Sequence, residues 1–199
     1  MKTVLLLLMS TASLLAQSKF SLAPTYSFNY GIYSYQLRAV YDGSIKDFSG
    51  HSTGSSIGLT ARYHFDQRWS LSVGALYDKS VSHLKTPTSD DVRLPATEEF
   101  RFPVLVNYRL SNRRLAPYLS AGAFFAKDKK DKLDDPLRTT RTHALLGIGV
   151  DYKINSKLSW LLQPTASYML TKPANQLPFQ FASYNSYWIG LQTQLLIHF

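Results

Sequence analysis

The chain has 199 residues, of which 14% are aromatic and 18% charged, and it carries a formal net charge of +9. This length suits a single domain, and the charged fraction is lower than the roughly 25% that is usual in soluble domains. The chain contains no Cys, which excludes a disulfide scaffold, a Cys-based zinc site and a Cys nucleophile. The positive charge leaves nucleic acid, an anionic membrane surface and acidic ligands as partner classes.

The first 17 residues have the pattern of a cleaved signal peptide. Lys2 supplies the basic start, an apolar run follows it, and cleavage is predicted after Ala16 or Gln17. The apolar run is too short to cross a bilayer as a helix. We therefore predict a signal peptide at residues 1–17 and a mature domain at residues 18–199.

The mature domain shows eight segments in which apolar and polar residues alternate with a period of two. This periodicity is typical of β-strands with two different faces. The predicted strands lie at 20–29, 57–65, 69–77, 100–110, 115–126, 143–152, 158–170 and 186–199.

The connections between these strands alternate between short and long. Residues 66–68, 111–114 and 155–157 form short turns, whereas residues 33–53, 78–97, 127–139 and 171–183 form long polar connections. Short periplasmic turns and longer outer loops are the layout of an outer-membrane barrel. The sequence thus predicts an all-β, antiparallel, up-and-down transmembrane barrel of about eight strands in the bacterial outer membrane, with both termini in the periplasm.

Two bands of aromatic residues are predicted near the strand ends, as expected at membrane–water interfaces. The periplasmic band would contain Tyr63, Phe65, Trp69, Tyr108, Tyr152 and Trp160, and the outer band Tyr77, Phe100, Tyr168, Tyr184 and Tyr187.

The last strand ends on Phe199, with Ile197 and Leu195 at alternate positions before it. A terminal aromatic residue on an alternating apolar strand resembles the signal by which the insertion machinery recognises outer-membrane barrels. We expect that machinery to be a partner during biogenesis.

One hairpin resembles the porin-like, PorT-like outer-membrane β-barrel domain family. In that family a strand with a central Pro leads through a short basic turn to a Pro-Tyr-Leu-x-x-Gly strand, and the matching positions here are Pro103, Tyr108, Pro117, Tyr118, Leu119 and Gly122. The resemblance implies a location and a fold, and it does not establish a pore.

Four prolines oppose this interpretation, because proline lacks the ladder donor and a closed barrel has no free edge. Pro24, Pro103, Pro117 and Pro164 all lie inside predicted strands. Bulges or strand ends could accommodate them, and an irregular β-sandwich is the alternative fold.

An eight-stranded barrel leaves an interior just wide enough to be filled by side chains. Isolated charges there would be costly, so inward charges should pair. We therefore predict a plugged lumen and a structural or surface-interaction role, with a narrow channel for small solutes or ions as the alternative. The polar network would contain Arg62, Arg101, Arg109 and Asp151, together with Glu99 and Asp78.

A lipid-modifying enzyme of the outer leaflet is a third possibility, since such an enzyme needs a His near a Ser and an acid. His51 and His83 adjoin Ser52 and Ser82, but neighbours on a strand point to opposite faces, and His143 has no motif-like spacing. We expect no enzyme and no cofactor. The mixed-charge run at 127–135 is interpreted as a solvated loop rather than a metal site.

The basic residues fall mainly in turns and loops and are not interleaved with stacking aromatic residues, so no nucleic-acid partner is expected. The expected partners of the mature protein are outer-membrane lipids and lipopolysaccharide, whose phosphates basic residues at the outer rim could meet.

Overall fold

A computed structural model describes residues 19–39, 41–86, 89–129, 140–171 and 179–199. The predicted signal peptide at residues 1–17 lies outside these ranges, as does most of the mixed-charge run at 127–135. None of the described residues belong to a helix with the length and apolar character that a membrane span requires.

The described chain forms β-strands joined by turns. Their bounds are β1 Phe20–Ala39, β2 Ile45–His64, β3 Trp69–Thr86, β4 Ser89–Arg93, β5 Thr97–Arg109, β6 Leu115–Asp128, β7 Arg141–Lys153, β8 Leu158–Met169 and β9 Phe179–His198.

Eight of the strands close into a ring. β1 pairs with both β2 and β9, the order continues through β8, β7, β6, β5 and β3, and β3 pairs back onto β2. All of these pairings are antiparallel, and the short β4 adds to β3. The predicted up-and-down barrel is therefore confirmed. The β-sandwich alternative is wrong, because one sheet closes on itself.

The outer surface of the barrel is apolar and the inner surface is polar. On β2, Ile57 and Leu59 are 63% and 54% exposed, whereas Ser56 and Thr60 are 2% and 4% exposed. Since successive strand residues point to opposite faces, this difference places the apolar side chains outside and the hydroxyls inside. A polar interior and an apolar exterior are the reverse of a soluble barrel and suit a lipid surrounding.

Several strands extend well beyond the predicted bounds. β1, β2 and β9 each have 20 residues and β3 has 18, whereas crossing a bilayer takes about 9–11. The predicted long connection at 33–53 is wrong, because residues 33–39 continue β1 and residues 45–53 begin β2. The predicted connection at 78–97 likewise contains the end of β3 and all of β4.

The two ends of the barrel therefore differ. The turn end carries the short turns after β2, β5 and β7, together with Phe20 and Phe199. The loop end carries the other connections. There the extensions of β1, β2, β3 and β9 rise as a one-sided wall above the shorter β5–β8.

The four internal prolines are accommodated without an open edge. Pro24, Pro103 and Pro164 each lie at a gap in one ladder, β1–β9, β3–β5 and β7–β8 respectively, while the ladder to the other neighbour continues through them. Pro117 lies just past the last pair of the β5–β6 ladder. A proline in a closed sheet thus interrupts pairing with one neighbour only, which is why the barrel tolerates it.

Aromatic pairs flank the outer surface at both ends. Near the turn end, Trp69 and Tyr108 are cross-strand partners with ring centroids 4.6 Å apart. Further toward the loop end, Tyr168 and Tyr187 are partners at 4.9 Å. The prediction for Tyr184 is wrong, because this residue lines a cavity inside the wall.

Candidate functional site

The lumen contains two separate groups of charged residues, one toward each end. Near the turn end, Arg109 Nε lies 3.0 Å from Asp151 Oδ2, and the two side chains are 9% and 10% exposed. The Arg109 guanidinium also donates to the carbonyl of Arg113 at 2.8 Å. This pair comes from β5 and β7, whose inward residues meet across β6.

Arg62 lies in the same half of the lumen but bonds differently. Its guanidinium donates to the side-chain carbonyl of Gln194 at 2.9 Å and sits 5.0 Å from the centre of the Tyr118 ring. Within the described part of the chain, no ion pair joins Arg62 to a carboxylate. Of the four predicted network residues, the structure brings together only Arg109 and Asp151.

The centre of the lumen is filled by small polar side chains. Asn107 donates to the hydroxyl of Ser72 at 3.1 Å, and the Thr25 and Thr60 hydroxyls lie 2.9 Å apart. Gln163 donates to the hydroxyl of Ser120. These bonds satisfy the buried groups and leave little space between the charged groups on either side.

The second charged group lies toward the loop end and centres on Arg101. Its guanidinium contacts Glu99 at 2.6 Å and Asp78 at 3.1 Å. Arg141 also reaches Glu99 at 2.6 Å, and it contacts Asp128 at 2.5 Å. The sequence therefore pointed to Asp78 and Glu99 correctly as inward charges but placed Arg101 in a network with residues that it does not touch.

Among the residues that the structure describes, the buried charges balance. Arg62, Arg101 and Arg109 are opposed by Asp78, Glu99 and Asp151, each at most 8% exposed. A lumen with equal numbers of buried cations and anions presents no strong field of one sign to a passing ion.

Arg101 also forms a partition across the lumen. Its guanidinium carbon lies 5.3 Å from the ring centres of both Phe124 and Trp188. Trp188 fits because Gly31 is its strand partner, and a Cβ on Gly31 would lie 2.7 Å from the indole.

Cavities lie on both sides of this partition, and Arg101 and Trp188 line both. The inner one has a volume of about 40 Å³, and the one toward the loop end, which we name the vestibule, has about 220 Å³. Sequence reasoning missed Trp188, although it shares the inward register of Ser186 and Gly190.

Aromatic residues line one side of the vestibule. Tyr33, Tyr35 and Tyr184 come from the wall formed by β1 and β9, with Tyr35 and Tyr184 directly paired and their rings 6.0 Å apart. Gly50 lies under the Tyr33 ring, and the Tyr33 hydroxyl donates to the carbonyl of His83 at 3.0 Å. The opposite side and floor contain Glu99, Arg101, Arg141, His143 and Thr97.

The predicted enzyme candidates are not gathered into one site. His51 and His83 stack on each other with ring centres 5.0 Å apart, while the hydroxyls of Ser52 and Ser82 pair with each other at 2.7 Å. His143 is buried and stacks on the Phe124 ring at 4.4 Å.

A serine–histidine chain that the sequence did not indicate lies at the turn end. Ser21 Oγ is 2.6 Å from His198 Nδ1 and 3.1 Å from His64 Nε2, and His198 Nε2 is 2.8 Å from Ser159 Oγ. Three adjacent strands, β2, β1 and β9, with β8 beside them, supply these residues. Only pairing across the barrel seam makes them neighbours.

A closed antiparallel ring with an apolar outside, aromatic bands and a charge-balanced polar lumen defines a transmembrane β-barrel of the outer-membrane type. The chain belongs to the family of outer membrane protein beta-barrel domains, whose model matches residues 3–185. This match confirms the outer-membrane β-barrel identity that the resemblance implied, whereas the PorT-like subdivision stays a prediction.

A solved structure shares this fold. The outer membrane protein OprG from Pseudomonas aeruginosa superposes with a TM-score of 0.59 at 13% identity, covering 91% of this chain and 96% of that chain. Neisserial surface protein A (NspA) gives a TM-score of 0.49 at 13% identity, covering 88% of this chain and 97% of that chain. A search of curated protein sequences finds no match to the chain.

Proposed function

We propose that this small outer-membrane barrel is closed to solutes and presents its loop end to the outside for surface interaction. The observation that carries the closed state is the Arg101 partition, in which one side chain is held by two carboxylates and two aromatic rings. Moving it would separate a buried cation from its partners, which is costly in a water-poor lumen. The wall at the loop end supplies the surface available for contact.

Conductance in planar bilayers tests closure. The wild-type protein should insert without stable current steps, and removing the partition with Arg101→Ala combined with Trp188→Ala should produce them. Tyr187→Ala is the matched control, because Tyr187 neighbours Trp188 on β9 but faces outward with 56% exposure. Stable single-channel currents from the wild type would contradict the proposal.

A narrow channel for small solutes is the second candidate. It is favoured by one observation, namely that Arg101 and Trp188 border cavities on both sides, so a rotation of these side chains would join the cavities. In that case the wild type itself would conduct. Replacing Arg101 with Lys, which keeps the charge but loses the planar fork, would alter the open probability.

We further propose that the turn end and both termini lie in the periplasm. Because the chain has no Cys, single-cysteine variants label at one position. Ser44→Cys in the β1–β2 turn should react with an impermeant maleimide on intact cells, and Asn155→Cys in the β7–β8 turn should react only after lysis. The opposite labelling pattern would reverse the orientation.

The proposed partners are membrane lipids around the apolar exterior and lipopolysaccharide at the loop end. Lys79, Lys85 and Lys127 are exposed near that end, where phosphate groups of lipopolysaccharide would meet them. Replacing all three with Gln should weaken lipopolysaccharide co-purification while leaving the barrel folded. Unchanged co-purification would exclude these lysines as the contact.

We propose no catalytic role, since His83 pairs with Asp91 at 2.8 Å while the neighbouring hydroxyls of Ser52 and Ser82 bond to each other, so neither serine completes the pair. Turnover of labelled lipopolysaccharide or phospholipid by the purified protein, lost in His83→Ala or His143→Ala, would contradict this.

A further inference from the structure

The vestibule combines two chemically different sides in one cavity. Tyr33, Tyr35, Tyr184 and Trp188 supply aromatic surface, and the remaining side chains supply hydroxyl, guanidinium and carboxylate groups. A ligand that fills such a cavity needs an apolar face for the rings and a polar edge for the floor. Ligand pockets generally combine the two, because aromatic rings supply most of the contact area and a few polar groups fix the orientation of the ligand.

The floor of the vestibule favours a neutral ligand over a charged one. The charges of Arg101 and Arg141 are both neutralised by carboxylates, with Glu99 between them, so an anionic ligand would find no unpaired cation there. A cationic ligand would find the Glu99 carboxylate already paired and two guanidinium groups at close range, which is unfavourable. Ligand hydroxyls, in contrast, both donate and accept, and they can bond to carboxylates and guanidinium groups alike.

One buried polar group on the floor has unused bonding capacity. His143 is 4% exposed, lines the vestibule, and its Nδ1 has no hydrogen-bond partner among the described protein atoms. A buried ring nitrogen without a partner is costly, and because this nitrogen has almost no accessible surface, the ring would have to turn toward the cavity for a ligand hydroxyl to supply the missing bond. The serines at positions 52, 80, 82 and 186 line the same cavity and add further hydroxyls.

From this combination we infer that the vestibule binds a neutral sugar unit, with its C–H face against the tyrosines and its hydroxyls on the polar floor. The cavity of about 220 Å³ lies below the roughly 300–1,000 Å³ of pockets for drug-sized ligands, so one ring fits rather than a long chain. The inference rests on the proposed surface-interaction role and names the class of molecule that the loop end would contact.

Binding is tested on purified protein in a polyoxyethylene detergent, because detergents with sugar headgroups would compete for the site. Trp188 serves as the reporter in a Trp69→Phe/Trp160→Phe background, since both removed tryptophans face outward. Titration with free glucose, galactose and N-acetylglucosamine, and with neutral oligosaccharides, should change the Trp188 emission saturably for at least one of them. If an oligosaccharide binds more tightly than the free monosaccharides, the natural ligand is the end of a glycan. If the two bind equally, the natural ligand is a free sugar. Sialic acid and glucosamine are the charged comparison ligands.

Paired variants on one strand locate the site. Tyr184→Ala should weaken binding about tenfold, the loss expected from one aromatic contact, whereas Tyr187→Ala, three residues away on the outer face, should leave it unchanged. Tyr184→Phe keeps the ring and should retain most of the affinity, which separates lost stacking from misfolding. Heat-modifiable gel mobility confirms that each variant is folded.

Three results would overturn the inference. One is that the Trp188 emission saturates with none of the neutral sugars, and another is that it saturates with the charged sugars alone. The third is that the Tyr184→Ala variant binds the neutral sugar with the same affinity as the wild type. These outcomes are distinct from failure of the proposed function. The titration in detergent does not depend on orientation or conductance, whereas cysteine labelling and bilayer recording test those properties directly.

Discussion

The buried pair of Arg109 and Asp151 provides the sharpest test of how the lumen is stabilised. Both side chains are at most 10% exposed, and Asp151 Oδ1 already lacks a hydrogen-bond partner among the described atoms. Arg109→Met would leave the carboxylate buried without its cation. Breaking a buried ion pair in this way costs about 3–5 kcal/mol, and we expect a loss of that size in the free energy of unfolding.

The second step of the test removes the charge left behind. Asp151→Asn leaves Arg109 its bond to the Arg113 carbonyl, so a smaller cost of about 1–3 kcal/mol is expected. Arg109→Met/Asp151→Asn should be about as stable as Arg109→Met alone, because a coupling energy of about 2 kcal/mol offsets the cost that Asp151→Asn has by itself. Arg114→Met is the matched control, because Arg114 is exposed at the same end and contacts the Tyr152 ring, a contact worth below about 1 kcal/mol.

Urea unfolding from lipid vesicles, followed by tryptophan fluorescence and by gel mobility, measures these free energies. If Arg109→Met stayed within about 1 kcal/mol of the wild type, water would be reaching this pair, and the lumen would be wetter than the closed barrel implies. Strictly additive effects of the two substitutions would likewise refute the reasoning.

Three further predictions concern single positions. Gly31→Ala places a Cβ 2.7 Å from the Trp188 ring, so it should displace the indole and increase conductance in planar bilayers, and an unchanged silent barrel would refute this. Asp66 accepts hydrogen bonds from the backbone N–H groups of Trp69 and Arg68 in the β2–β3 turn, and these bonds lower the pKa of its carboxyl group. The ionised carboxylate therefore stabilises the folded barrel at pH values above the pKa that Asp66 has in the unfolded chain. This stabilisation is lost as the pH falls through the lower pKa of the folded state. Asp66→Asn should reduce the loss of unfolding free energy at acidic pH, measured by urea unfolding at several pH values. The same pH dependence in wild type and variant would show that these turn hydrogen bonds do not stabilise the barrel. If Phe199 is the predicted insertion signal, Phe199→Ala should reduce the amount of barrel in the outer-membrane fraction without changing unfolding in vitro, and normal amounts would contradict that prediction.

The fold was largely predictable, because the period-two pattern acts on every strand residue. Contact with lipid selects apolar side chains on the outer face, and packing in the lumen selects polar side chains on the inner face. The two faces therefore appear in the sequence as alternating residues. The inward placement of Arg101, Arg109 and Asp151 follows from the same parity. Of the four prolines that argue against the fold, Pro24, Pro103 and Pro164 each interrupt only one of the two ladders next to them, and Pro117 lies just past the end of one.

The strand lengths at the loop end could not be read from the pattern. Residues 33–39 and 45–53 extend beyond the ends of the shorter strands. Their outward side chains are therefore not selected by contact with lipid, and apolar and polar residues alternate less clearly along these two segments. The sequence predicts a loop for these residues, whereas they pair throughout. The wall they form is what creates the vestibule and turns Tyr184 inward.

What the sequence alone determined is the barrel: its class, its strand faces and which end carries the turns, since these depend on local periodicity and on the lengths of connections. What only the tertiary structure decided is which inward residues touch. Arg109 meets Asp151 across one intervening strand, Arg101 lies between Phe124 and Trp188, and the vestibule forms where β1 and β9 meet at the seam. These contacts join residues far apart in the chain, and they are set by the stagger between strands when the sheet closes, which no local pattern records.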